Sequence, residues 1–105
     1  MSERERLLNR RDHEAIAFDH GGFRYVGGVG RFPDGRLAEI FMNAAKSGTV
    51  IESWARDSAI IASIALQYGV DPETIRHALS RDQSGAAASP LGALLDMLAD
   101  NSGAS

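Results

Sequence analysis

The chain is 105 residues long, free of cysteine, 44% apolar and 24% charged, the proportions of one globular domain rather than a disordered segment. Without cysteine these residues hold no disulfide, thiolate metal site or thiyl radical, which fits a reducing compartment and makes the cytoplasm the expected location. The net charge of −3 is uneven: residues 1–46 carry eight Lys/Arg against seven Asp/Glu, residues 47–105 three against seven, far from the basic stripe of a duplex-DNA binder.

Residues 1–12 are polar and alternate in charge, predicting a flexible arm and no secretory signal. No apolar run nears the roughly 20 residues of a membrane span. Ala15-Ile-Ala-Phe18 is a first strand, ended by Asp19-His20-Gly21-Gly22, whose glycines allow the positive φ of a tight hairpin. Phe23-Arg24-Tyr25-Val26 alternates as a second strand. Gly27, Gly28 and Gly30 then mark a bulge or a close approach of another group. Phe32-Pro-Asp-Gly35 is a second turn, and Arg36 to Asn43 a third strand. Three antiparallel strands cannot bury themselves, so helices must cover one face.

Ser47 or Thr49 caps a long helix from Val50 to about Tyr68, closed by Gly69. Asp71 and Pro72 start a second helix, to about Leu79. Residues 83–88 are a small-residue linker, Ser89-Pro90 starts a last helix over Leu91–Leu98, and 100–105 is a disordered tail. The expected fold is α+β, a three-stranded meander packed on one long and two shorter helices, with residues 13–99 as the single domain.

Within the long helix, Val50, Ile51, Trp54, Ala55, Ser58, Ile61, Ala62 and Ala65 form a stripe suited to covering the sheet. Ile60 and Ile64 widen the apolar arc beyond one face, and from Ala59 to Leu66 only Ser63 is polar. Either the last two helices cover this surplus, or Trp54, Ile60 and Ile64 pack against another chain, as a homodimer or a docked larger protein.

The candidate ligand site is Lys46-Ser47-Gly48-Thr49, where free N–H groups at a helix start and one Lys could hold the phosphate of a nucleotide. Arg31 and Arg36 would assist if the fold brings them near. The plain alternative is a capped turn with a solvated Lys. Gly27-Gly28-Val29-Gly30 precedes a strand rather than a helix, so it lacks the context of a dinucleotide loop. His13, His20 and His77 have no metal-ligand spacing. No nucleophile elbow is present, so no catalytic residue is assigned.

Several strings occur together in unbroken order: Arg10-Arg11, Gly21-Gly22-Phe-Arg-Tyr, Asp34-Gly35-Arg-Leu-x-Glu39-Ile40-Phe41, Lys46-x-Gly48, and Ala65-Leu-Gln67-Tyr68-Gly69-Val70. Over residues 9–80 they resemble the TSCPD domain near the C-terminus of adenosylcobalamin-dependent (class II) ribonucleotide reductases. In those enzymes radical-forming, reducing and shuttle cysteines do the chemistry, and a large α/β barrel holds cobalamin and substrate. This chain has neither the cysteines nor the Thr-Ser-Cys-Pro-Asp string that names the domain, so the resemblance implies the scaffold alone. It implies a free-standing accessory module linked to DNA-precursor synthesis, binding itself or a reductase catalytic chain, without cobalamin or another cofactor, or else a nucleotide-binding regulatory domain.

Overall fold

The computed structural model describes residues 3–5, 13–46 and 48–103. Three strands, β1 (His13–His20), β2 (Phe23–Arg31) and β3 (Leu37–Ala44), are followed by three helices, α1 (Val50–Gln67), α2 (Pro72–Ala78) and α3 (Pro90–Gly103). The strands pair antiparallel in the order β1-β2-β3, the α+β meander that the alternating pattern predicts. Gly21 and Gly22 take positive φ at the first turn and Gly35 at the second. In the second turn Arg36 donates to both carboxyl oxygens of Asp34, from its backbone N–H at 3.0 Å and Nε at 2.7 Å. Its guanidinium also lies 4.6 Å from the Phe32 ring centroid. That pair of contacts accounts for the Asp34-Gly-Arg36 string.

One face of the sheet carries the core. Phe18, Tyr25, Val29, Ile40 and Met42 face helices α1 and α3 and are buried. In α3, Leu91, Leu94, Leu95 and Leu98 are buried at the i, i+3, i+4, i+7 spacing of a one-sided helix. Leu94, fully buried, sits directly on β2, because Gly27 presents no side chain there. A Cβ at Gly27 would stand 3.1 Å and 3.3 Å from the two Leu94 methyls. On the other sheet face, a Cβ at Gly28 would lie 2.5 Å from the Phe41 ring, and at Gly30 2.8 Å from a Glu39 carboxyl oxygen. The glycines of β2 therefore serve close packing on both faces, and the strand register shifts at Gly30/Arg31.

Three boundaries differ from the sequence pattern. Helix α3 runs through Gly103, so it takes up the first part of the 100–105 segment expected as a disordered tail. The small-residue linker expected over 83–88 is part of an ordered loop, 81–88. There the Asp82 carboxylate accepts from the Ser84 N–H and hydroxyl and the Ala86 N–H, and Arg81 bridges to Ala87. In the segment expected as a flexible arm, the Glu5 N–H donates to the Gln67 carbonyl at 2.7 Å and Arg4 Nε to the Gln67 side chain at 2.6 Å. The rest of that arm, including Arg10 and Arg11, lies outside the described residues.

The Gly27–Leu94 contact is testable by its cost. Gly27→Val forces branched carbons against a packed leucine and is expected to destabilise the fold by about 1–3 kcal/mol. Combined with Leu94→Ala, it should cost less than the two single changes together, measured by denaturant unfolding. Strict additivity would contradict the contact.

Candidate functional site

The anchoring of α1 determines which of its faces is left open. The helix lies along β3 with Ala55, Ala59, Ala62 and Leu66 inward. Small side chains let the two backbones approach, and two polar groups fasten them together. Ser63 Oγ accepts from the Ile40 N–H at 2.8 Å and lies 2.9 Å from the Ile40 carbonyl. The buried Gln67 donates to the Ala38 carbonyl at 3.1 Å. Ser63 and Gln67 thus satisfy edge groups of β3 that an added strand would otherwise pair with.

With the alanines and Leu66 inward, Trp54, Ile60, Ile61 and Ile64 point away from the sheet. Trp54 is 70% exposed and Ile61 69%, against 1% for Ala59. Val50, Ile60, Ile64 and Tyr68 are exposed on the same side, broken only by Ser53 and Asp57. The expected sheet-covering stripe is therefore rotated: Ala55 and Ala62 belong to it, but Val50, Trp54 and Ile61 do not. Helices α2 and α3 leave this surface uncovered. Trp54, Ile60 and Ile64, predicted as surplus apolar surface, are joined there by Val50, Ile61 and Tyr68. The seven-residue spacing of Trp54, Ile61 and Tyr68 is the sequence signal that marks the face. Ile60 and Ile64 also wall a groove of about 490 Å³ between α1 and β3, with Met42 and Arg56 in its lining.

Of the six predicted phosphate-binding positions, the five described ones, Arg31, Arg36, Lys46, Gly48 and Thr49, do not converge. Ser47 lies outside the described residues. Thr49 is the α1 N-cap and accepts from the Glu52 N–H at 3.1 Å. The Gly48 N–H donates to the Glu52 carboxylate at 3.0 Å, so the helix start already holds an anion of its own. Arg31 and Arg36 lie at the other end of β3 from Lys46, about 25 Å away for a strand of this length. Arg31 pairs with Glu14 at 3.0 Å, and Arg36 with Asp34 and Glu5.

Those two arginines border a groove of about 470 Å³ floored by Leu37, Leu66, Leu95 and Leu98 and flanked by Arg76, Asp71 and Glu73. Its charges are balanced rather than cationic. Arg76 pairs with Glu73 and with Asp96, while Arg81 donates to both Asp96 oxygens at 2.8 and 2.7 Å. These bonds, the one from Arg81 most of all, pull the Asp96 carboxyl down to about 2. Asp96 thereby ties α2, the 81–88 loop and α3 into one unit.

His20 Nε2 donates to the Ala87 carbonyl at 2.9 Å, a structural use of that ring. Among the described residues no group of three His, Cys, Asp or Glu could hold a metal ion, and no helix is long and apolar enough to cross a membrane.

The family model described as the TSCPD domain matches residues 16–100. Similar curated proteins include the vitamin B12-dependent ribonucleotide reductases of Bradyrhizobium diazoefficiens, 39% identical over 70 residues, and Agrobacterium fabrum, 39% over 71. That of Rhodopirellula baltica is 39% identical over 72 residues. These matches cover 67–69% of this chain but only 6–7% of each relative's length. No solved structure matches the chain.

The Asp96 junction predicts a pH signature. Its carboxyl pKa is lower in the folded chain than the ordinary 3.8, so its contribution is complete above about pH 4 and disappears as pH falls through about 2. Asp96→Asn should lower stability at pH 7 by about 1 kcal/mol, allowing for solvent screening. The difference from the unsubstituted chain should vanish near pH 2 in urea titrations. A difference that persists there would contradict the ion-pair account.

Proposed function

The chain belongs to the TSCPD domain family, and from that premise we propose that it is a non-catalytic protein-docking module related to the B12-dependent ribonucleotide reductases. The observation that carries this reading is the inverted α1 helix, with alanines against the sheet and Trp54, Ile60, Ile61 and Ile64 in water. A largely apolar exposed face of this kind is a liability for an isolated domain and an asset for a docked one. Tryptophan and tyrosine at its two ends are the residue types that anchor protein interfaces.

The ligand-binding alternative has less support. At the Lys46 turn the Gly48 N–H is taken by the Glu52 carboxylate and the Glu52 N–H by the Thr49 hydroxyl, and Arg31, Arg36 and Arg76 of the leucine-floored groove are each paired with carboxylates. The chain also offers no cysteine for reductase chemistry. On this reading it acts as an accessory in DNA-precursor synthesis, in the cytoplasm, without cobalamin or another cofactor of its own. The partner is a second copy or a reductase catalytic chain.

Substitution on the outer face provides the test. Ile61→Asp removes apolar surface that touches nothing in the core, so far-UV circular dichroism and the thermal midpoint at high dilution should match the unsubstituted chain. The same change should weaken association, with itself or with a B12-dependent reductase chain, at least tenfold in sedimentation or calorimetric titration. A large drop in thermal midpoint at high dilution, or association that ignores the substitution, would sink the docking reading.

A further inference from the structure

We propose that the outer face of α1 is self-complementary and binds a second copy of this chain in antiparallel orientation, an inference that rests on the docking reading above. The symmetry is visible in the spacing. Trp54, Ile61 and Tyr68 follow one another at seven residues, a step that falls only about 20° short of two full helical turns. They therefore stand nearly in line along a helix about 27 Å long. An aromatic residue lies seven positions before Ile61 and another seven positions after it. A two-fold axis through Ile61, perpendicular to α1, maps the line onto itself. Ile61 of one copy then meets Ile61 of the other, and Trp54 meets Tyr68 at both ends. This is the self-matching patch that a two-fold dimer requires.

Charge selects the orientation. Asp57 is an exposed acid within the face. In a parallel pair it would stand against Asp57 of the other copy, and the two helix dipoles would also align unfavourably. In the antiparallel pair Asp57 falls opposite Ala65, and the two carboxylates are about 12 Å apart along the helix axis. That is beyond the Debye length at physiological salt.

The area is sufficient as well. Val50, Trp54, Ile60, Ile61, Ile64 and Tyr68 are all at least partly exposed. At roughly 100 Å² each they present about 600 Å² per copy. A pair would bury about 1,200 Å², above the roughly 1,000 Å² expected of a specific interface.

Because the chain lacks cysteine, single introduced thiols can map the contact without altering the aromatic anchors. Facing Cα atoms of two helices packed 8–10 Å apart come within about 5 Å, close enough for a disulfide. Under mild oxidation, Ile61→Cys should cross-link to itself. A mixture of Asp57→Cys and Ala65→Cys chains should form the mixed dimer at least tenfold faster than either alone, with Thr74→Cys on α2 as the collision control. Sedimentation of the unsubstituted chain should show its 11.2 kDa mass doubling with concentration.

Asp57→Cys cross-linking to itself faster than to Ala65→Cys would overturn the antiparallel arrangement. Cross-linking no faster than the Thr74→Cys control, with the mass fixed at that of a monomer up to ~1 mM, would overturn the second copy as partner. If Trp54 emission then shifts when a B12-dependent reductase chain is added, the docking reading stands and only the self-pairing fails. If it does not, both fail.

Discussion

The close contact of the α1 alanine face with β3 sets the rest of the molecule. Ala55, Ala59 and Ala62 bring the helix near the strand, and Ser63 and Gln67 fasten it to the edge groups of Ile40 and Ala38. A serine between apolar neighbours and a buried glutamine carry a desolvation cost unless their partners are present. Here the partners are backbone groups of a sheet edge that would otherwise remain unpaired. The two requirements cancel, and the helix rotation is fixed by hydrogen bonds as well as by packing. Once that rotation is set, Ile60, Ile61, Ile64 and Trp54 have no inward position left.

The other half of the core follows a matching logic. Gly27 removes a side chain where Leu94 descends from α3, so the sheet receives one helix through small residues on the helix and another through a small residue on the strand. The charged residues around α2 and α3 then act as fasteners. Asp96 gathers Arg76 and Arg81, so Arg76 stands at the wall of the adjoining groove already paired. The arginines of β2 and the second turn are committed in the same way to Glu14, Asp34 and Glu5. The sheet end of the molecule is therefore built for cohesion, and the uncommitted surface concentrates on α1.

Turn chemistry was the most legible part of the sequence. Paired glycines after Asp19-His20, and Pro33-Asp34-Gly35, specify positive φ at fixed positions, and a meander follows from them. The faces of α1 were harder to assign, because periodicity arguments place large apolar residues inward, and here alanine outcompetes isoleucine for the sheet. The palindromic spacing of Trp54, Ile61 and Tyr68 and the lone Ser63 within an apolar run were present in the sequence, but their meaning depends on which strand the helix meets. At the Lys46 turn the capping pattern Thr49-x-x-Glu52 was equally readable and predicts that the helix start supplies its own carboxylate. The Asp96 junction joins residues 15 to 20 positions apart, and no local pattern signals it.

Trp54 is the only tryptophan of the chain and stands on the surface that matters, so acrylamide quenching of its fluorescence tests the central claim most directly. The account predicts a readily quenched, red-shifted Trp54 at high dilution that becomes shielded and blue-shifted as the chain is concentrated or a B12-dependent reductase chain is added. A Trp54 already shielded at high dilution would place it inside the monomer. One that stays fully quenchable under every condition would show that nothing docks on α1.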